Sequence, residues 1–296
     1  MRRLLSMKTM LFVGLMLLSS VCHQSTARSE KVITRKENVE PSNRWAILIG
    51  VDDYSIARDL RYCGADQIAL REHLIASGFP EDQVVLMTTN VRENQPNKLN
   101  IEKQLARVLG QVKENDMVVF AFSGHGVQIG ETSYLCPSDA KLNDDTSMLS
   151  LNKIYAQINR ARASLRLVIV DACRDLPECC TPRTVEEIKD ANRSLSRSLS
   201  QEIPEGIIQF TSCSAGEQAQ EHPDLGHGVF MYYFLKGLQG DADVNNDNQV
   251  SLTELYLYSG KHTEDFVKEA FSDSQHPRLK GDLNTEVMSF QLAGKN

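Results

Sequence analysis

Apolar runs of strand length alternate along the chain with segments whose apolar residues recur at helical spacing. Trp45–Val51 (WAILIGV) is a continuous apolar run, the signature of a strand covered on both faces. Asp66–Ser77 follows with Ile68, Ala69, Leu70, Leu74 and Ile75 on one helical face, closed by Gly78. Gln83–Thr89, Asp116–Ser123, Leu165–Val170 and Ile207–Ser212 read as further strands, with a short one at Ser133–Cys136. Helical spacing recurs at Ile101, Leu105, Val108, Leu109 and Val112, over Leu151–Ala161, Val229–Leu238 and Leu252–Phe271. Glu286–Leu292 alternates and is expected to close the sheet as an edge strand. The alternation predicts an α/β fold, a central mostly parallel sheet flanked by helices on both faces. In such sheets ligands bind beyond the carboxyl ends of the strands. His125 and Cys173 each fall just past the end of a buried strand.

The two ends of this pattern differ from its middle. Arg2, Arg3 and Lys8 precede the apolar run Met10–Val21, and Ser25-x-Ala27 supplies a small-residue cleavage site, so residues 1–27 read as a secretory signal peptide. The run is too short to span a bilayer comfortably; contact with a membrane is expected only through this segment if it stays uncleaved. Residues 28–43 read as a polar tether. The first half of the fold covers 44–180, an exposed linker 181–204, and the second half 205–292. The expected location is outside the cytoplasm, periplasmic or secreted.

The 296 residues carry a formal charge of −7 and no basic block. That leaves a nucleic-acid-binding surface nothing to build on. Seven cysteines without a C-x-x-C pair make neither a disulfide scaffold nor a redox motif. Removal of residues 1–27, with three bases and no acids, would take the charge to −10.

A thiol and an imidazole at neighbouring strand ends are the parts of a nucleophilic dyad. Cys173 would attack as thiolate, and His125 would take its proton and return it to the leaving amine. Glycines on either side of His125 allow close backbone approach, and the Gly126 N–H is a candidate oxyanion donor with that of Cys173. Each residue alone reads more simply as a buried thiol and a satisfied loop histidine; the pairing favours acyl transfer.

Ser123-Gly124-His125-Gly126 and Asp171-Ala172-Cys173-Arg174, whose His and Cys stand 48 residues apart, resemble the two catalytic motifs of the caspase, paracaspase and metacaspase superfamily. The likeness runs from Trp45 to about Phe290 and includes Asn43–Gly50, Cys63-Gly64-Ala65-Asp66, Tyr134–Asp139 and Ser212–Glu217. It is closest to bacterial caspase-like proteins and metacaspases. The resemblance implies a caspase-hemoglobinase fold, large-subunit-like and small-subunit-like halves, a Cys/His dyad and cysteine endopeptidase activity without an organic cofactor. It also matches Cys63, Asp66, Ser123 and Asp171 to the substrate pocket. Two carboxylates there would attract Arg or Lys and repel Asp, so protein or peptide substrates cut after basic residues are expected. The plainer reading of Asp66 is a cap on the helix that opens near it, and of Asp171 a backbone-bonded acid. Arg183, Lys189, Arg193 and Arg197 make the linker a candidate for self-processing.

Asp243 to Glu254 fits a calcium loop, with oxygen ligands from Asp243, Asn245, Asp247, Ser251 and Glu254 and the Gln249 carbonyl. Asn248 stands where such a loop wants glycine. The bland alternative is an Asn/Asp-rich turn that caps the next helix. A non-catalytic, calcium-responsive binding module is therefore the rival to the peptidase. Oligomeric state is left open.

Overall fold

A computed structural model describes residues 41–55, 57–129, 132–141, 144–173, 203–214, 217–281 and 291–294. The signal peptide expected at 1–27, most of the tether and the linker through residue 202 lie outside the described residues. Among those described, no helix is long and apolar enough to cross a membrane.

Five parallel strands form the centre of an eight-stranded sheet: β1 (Arg44–Gly50), β2 (Val84–Thr88), β3 (Met117–Ile129), β6 (Leu165–Cys173) and β7 (Ile207–Thr211), in the order β2-β1-β3-β6-β7, with β4 (Thr132–Leu135), β5 (Leu149–Ser150) and β11 (Arg278–Gly281) added antiparallel. Alternate residues along each strand face opposite layers. Ala46, Leu48, Val119, Ala121, Leu167 and Ile169 pack beneath α1 (Cys63–Ala76), α4 (Val229–Lys236) and α5 (Leu252–Phe271). Ile47, Ile49, Phe120, Phe122, Val168 and Val170 pack beneath α2 (Lys98–Leu109) and α3 (Leu151–Arg160). Each fully buried aliphatic side chain contributes about 1.5–3 kcal/mol, which is why these strands read as unbroken apolar runs. At the opposite end from the site, buried Asp116 ties β1 to β3 by accepting from Trp45 Nε1 (3.1 Å), Asn43 Nδ2 (2.9 Å) and Lys113 N (2.9 Å).

Four expectations are corrected. Among the described residues the sheet ends beside β7 not at 286–292 but at β11 (Arg278–Gly281), antiparallel to β7; its Arg-Leu-Lys-Gly sequence has no apolar alternation to reveal it. Only 291–292 of the expected edge is described, within β12 (Gln291–Gly294), and it pairs instead with β10 (Gln249–Ser251) in a separate ribbon. α1 begins three residues before Asp66, because Asp52 accepts from Gly64 N with both oxygens (3.2 and 3.1 Å) and supplies the acceptor at the helix start. Asp66 is therefore inside the helix and not its cap. Finally, β3 does not stop at Ser123: it runs through Gly124-His125-Gly126 and pairs antiparallel with β4 (Thr132–Leu135). A Cβ on Gly124 would stand 2.6 Å from Tyr54 Oη and one on Gly126 3.1 Å from Ala172 Cβ, so the glycines let the strand continue through crowded space.

Candidate active site

The chain leaves β1 in one direction to form β2 and later returns on the other side to form β3. That reversal opens the crevice at the carboxyl ends of the strands. His125 and Cys173 are register partners there, the last pair of the β3–β6 ladder, on strands about 4.8 Å apart.

His125 is held from two sides. Its backbone N–H donates to Tyr54 Oη (2.7 Å), and its ring lies against that of Tyr54 with centroids 4.7 Å apart. Nε2 lies 2.7 Å from the Arg58 carbonyl oxygen. A carbonyl only accepts, so this contact puts the proton on Nε2 and leaves Nδ1 as the basic nitrogen of the neutral ring. Neither Tyr54 nor Arg58 was singled out by the sequence; a carbonyl has no residue-type signature. His125 is 2% exposed, so its imidazole is buried beneath Tyr54 and the Arg58 segment rather than lying open.

Gly126 N–H has a consistent direction. Cys136 N donates to His125 O (2.9 Å), which makes 125–136 a hydrogen-bonded antiparallel pair and the next pair, Gly126–Leu135, a non-bonded one. The Gly126 N–H consequently points away from β4, toward the side where β6 ends.

The four expected pocket residues come together and are all buried. Ser123 and Asp171 are register partners, and Ser123 Oγ accepts from Gln67 Nε2 (2.8 Å). Cys63 and Asp66 come from the first turns of α1. Asp66 Oδ1 faces His227 Nδ1 at 2.7 Å and accepts from Gly228 N at 3.3 Å. A methyl carbon on Gly228 would stand 2.8 Å from Asp171 Oδ2 and 3.2 Å from Asp66 Oδ2, so the two carboxyls share one wall and only glycine leaves them room.

The energetics follow from burial. Burial and repulsion from Asp171 push Asp66 well above the usual carboxylate range, against the pull of the Gly228 N–H. Burial pushes Asp171 up to about 7, opposed by a hydrogen bond from Ser212 and reinforced by the nearby Glu221 charge. Burial also pulls His227 down, so its contact with Asp66 is a hydrogen bond rather than an ion pair at neutral pH. Among the described residues no lysine or arginine side chain acts on Asp171, whereas the Arg61 charge lies close enough to Glu221 to favour its ionised form.

Two pocket neighbours escaped sequence reasoning. His227, whose Nδ1 faces Asp66 Oδ1, orients that carboxyl. Glu221 accepts from Tyr62 N (3.1 Å) and Arg61 N (3.4 Å), and the Cys63 thiol points to the same oxygen at 3.9 Å. Only the pairing of residues some 160 positions apart reveals them.

The loop at 243–254 is built on its own side chains. Asp243 accepts from Asp247 N (3.2 Å) and Asn248 N (3.0 Å), Asn245 from Asp247 N (2.8 Å) and Asp247 from Gln249 N (2.8 Å). Asn248, at the glycine position, has φ 64°, and Asn246 φ 59°. Ser251 and Glu254 form a reciprocal cap on α5. Glu254 Oε1 is buried with no hydrogen-bond partner. Among the described residues no three His, Cys, Asp or Glu are gathered closely enough to hold a metal.

The model of the caspase domain family matches residues 43–287. Metacaspase-3 of Arabidopsis thaliana is 32% identical over 218 residues, covering 66% of this chain and 59% of that protein. Metacaspase-1A of Aspergillus oryzae is 24% identical over 249 residues, covering 77% of this chain and 56% of that one. The chain thus spans less than two thirds of these relatives' length. A solved protein from Geobacter sulfurreducens shares the fold, with TM-score 0.61 and 15% identity over 86% of this chain and all of that one.

Proposed function

The chain belongs to the caspase-domain family of cysteine peptidases, and from that premise we propose that it is an endopeptidase cutting after Arg or Lys. Cys173 attacks the scissile carbonyl as thiolate, its proton passing to His125 Nδ1. The oxyanion forms beside the Gly126 N–H. His125 then protonates the leaving amine, and water attacks the thioester with His125 as base, restoring the thiol. The observation that carries this reading is the register pairing of His125 with Cys173, with Nε2 anchored on the Arg58 carbonyl.

The basic preference rests on the recess. Among the described residues Asp66 and Asp171 share one wall without a lysine or arginine side chain, and an Arg or Lys of the substrate would supply that charge. Fluorogenic peptides with Arg, Lys or Asp before the bond, assayed with and without calcium, test both parts. Cleavage after Arg and Lys should exceed that after Asp by at least about 100-fold, several kcal/mol of like-charge cost. Preference for Asp removes the basic specificity. No cleavage, with no labelling of Cys173 by an Arg-based covalent inhibitor, favours the binding module instead.

We also propose calcium at the loop of residues 243–254, where the ion would tie the loop to the start of α5. Two features support it: the left-handed backbone of Asn248 and the buried, unsatisfied Glu254 Oε1. Binding requires the Glu254 carboxylate to turn from Ser251 toward the loop. Calcium is expected to raise the melting temperature of the Cys173→Ala protein, and Glu254→Gln should abolish that rise. An unchanged melting temperature at millimolar calcium removes the ion from the proposal.

A further inference from the structure

The short hairpin of β8 (Glu221–His222) and β9 (His227–Gly228) sets Glu221 directly opposite Gly228. Residues opposite each other in an antiparallel pair project to the same face, their Cβ positions about 4.5–5.5 Å apart. The face on which Gly228 has no side chain is the one occupied by Asp171 Oδ2 and Asp66 Oδ2. Glu221 therefore leaves the hairpin toward these two carboxyls. Its contacts agree: one oxygen is anchored on Tyr62 N and Arg61 N, at the start of the helix that carries Asp66, beside the Cys63 thiol. Three carboxyls from three separate elements thus converge. Asp66 and Asp171 are 1% and 6% exposed, whereas Glu221 is only partly buried and stands at the outer end.

We propose that Glu221 is a third acid of the substrate recess and the residue that makes it prefer arginine to lysine. This inference rests on the reading of the recess as the site for a basic side chain. A lysine ammonium is a compact charge that the inner pair satisfies alone. A guanidinium presents a planar fork of five donors, so it engages carboxylates on two sides at once, and the second side is Glu221.

Glu221→Gln keeps an oxygen to accept from Tyr62 N and Arg61 N while removing the charge, so it separates recognition from the helix-start bond. Matched Arg and Lys peptides give kcat and KM for the wild type and the variant. Loss of one charge-assisted contact should raise KM for the Arg peptide about tenfold, change kcat by less than about twofold and raise KM for the Lys peptide less than about threefold. Calorimetry with argininamide and lysinamide on Cys173→Ala, with and without Glu221→Gln, should show the same loss of arginine preference without turnover. Glu221→Asp, which draws the charge back by one methylene, should fall between the two and serves if the glutamine variant does not fold. An unchanged Arg/Lys ratio in these variants overturns the role of Glu221 while leaving the peptidase reading intact. A wild-type protein that neither cleaves after Arg or Lys nor binds either amide overturns both.

Discussion

Replacing His125 by alanine should lower kcat/KM on the best Arg peptide by about 10³ or more, with the protein still folded. General acid–base catalysis by a positioned imidazole is worth about 10²–10⁴, and here the same ring serves both the thiol and the leaving amine. The wild-type arrangement is specific about which nitrogen acts. Nε2 is committed to the Arg58 carbonyl at 2.7 Å, so the ring cannot turn its other nitrogen to the thiol without giving up that hydrogen bond. The backbone contact from His125 N to Tyr54 Oη survives the substitution, which favours retention of the strand. Cys173→Ala should be as severe, and the double variant little worse than either single one, because two residues acting as one unit do not add. Initial rates, with circular dichroism as the folding control, check this. A His125→Ala protein that keeps a tenth of the activity would show that the imidazole is not the acid–base group.

The parts of this molecule that the sequence made plain are those governed by burial on both faces. Trp45–Gly50, Met117–Phe122 and Leu165–Val170 lie where the apolar runs put them, since only a strand between two helical layers keeps every side chain dry. Leu252–Phe271 was legible from its helical apolar spacing, whereas the reciprocal cap that Ser251 and Glu254 form at its start was not, because both residues also fit the calcium loop as ligands. What escaped depends on contacts between distant positions. The start of α1 is set by Asp52, eleven residues before it, not by any residue at the helix. β11 is an edge strand with an unpatterned sequence, and β12 found its partner at 249–251 rather than in the main sheet. In the site, His125, Asp66, Ser123 and Asp171 could be named from their motifs. Tyr54, the Arg58 carbonyl, Gly228 and Glu221 act through distance and register, properties a linear pattern does not carry.

Asp171→Asn should make the protein more stable and a much poorer peptidase. Burial holds the Asp171 carboxyl at about 7 in the folded chain, against an ordinary value of 3.8. A folded-state value above the unfolded one means that the native protein binds the proton more tightly. Its stabilising contribution is complete below 3.8 and is lost as pH rises through about 7. Above that, wild type carries a buried charge that asparagine lacks. The variant should therefore gain about 2–4 kcal/mol over wild type at pH 8 and almost nothing at pH 4, read as urea midpoints at the two pH values. Function moves the other way, because the ionised carboxyl is what a basic side chain pairs with. Affinity of the Cys173→Ala protein for argininamide should rise from pH 5 to 8, levelling off above about 7, and Asp171→Asn should flatten the part of that rise due to this group. Loss of the pairing charge should lower kcat/KM on Arg peptides by about 100-fold or more. The stability carried away from wild type at neutral pH is thus the cost of keeping an unpaired carboxylate ready for substrate. An Asp171→Asn protein that is no more stable at pH 8, or that cleaves Arg peptides as well as wild type, would separate this residue from the recess altogether.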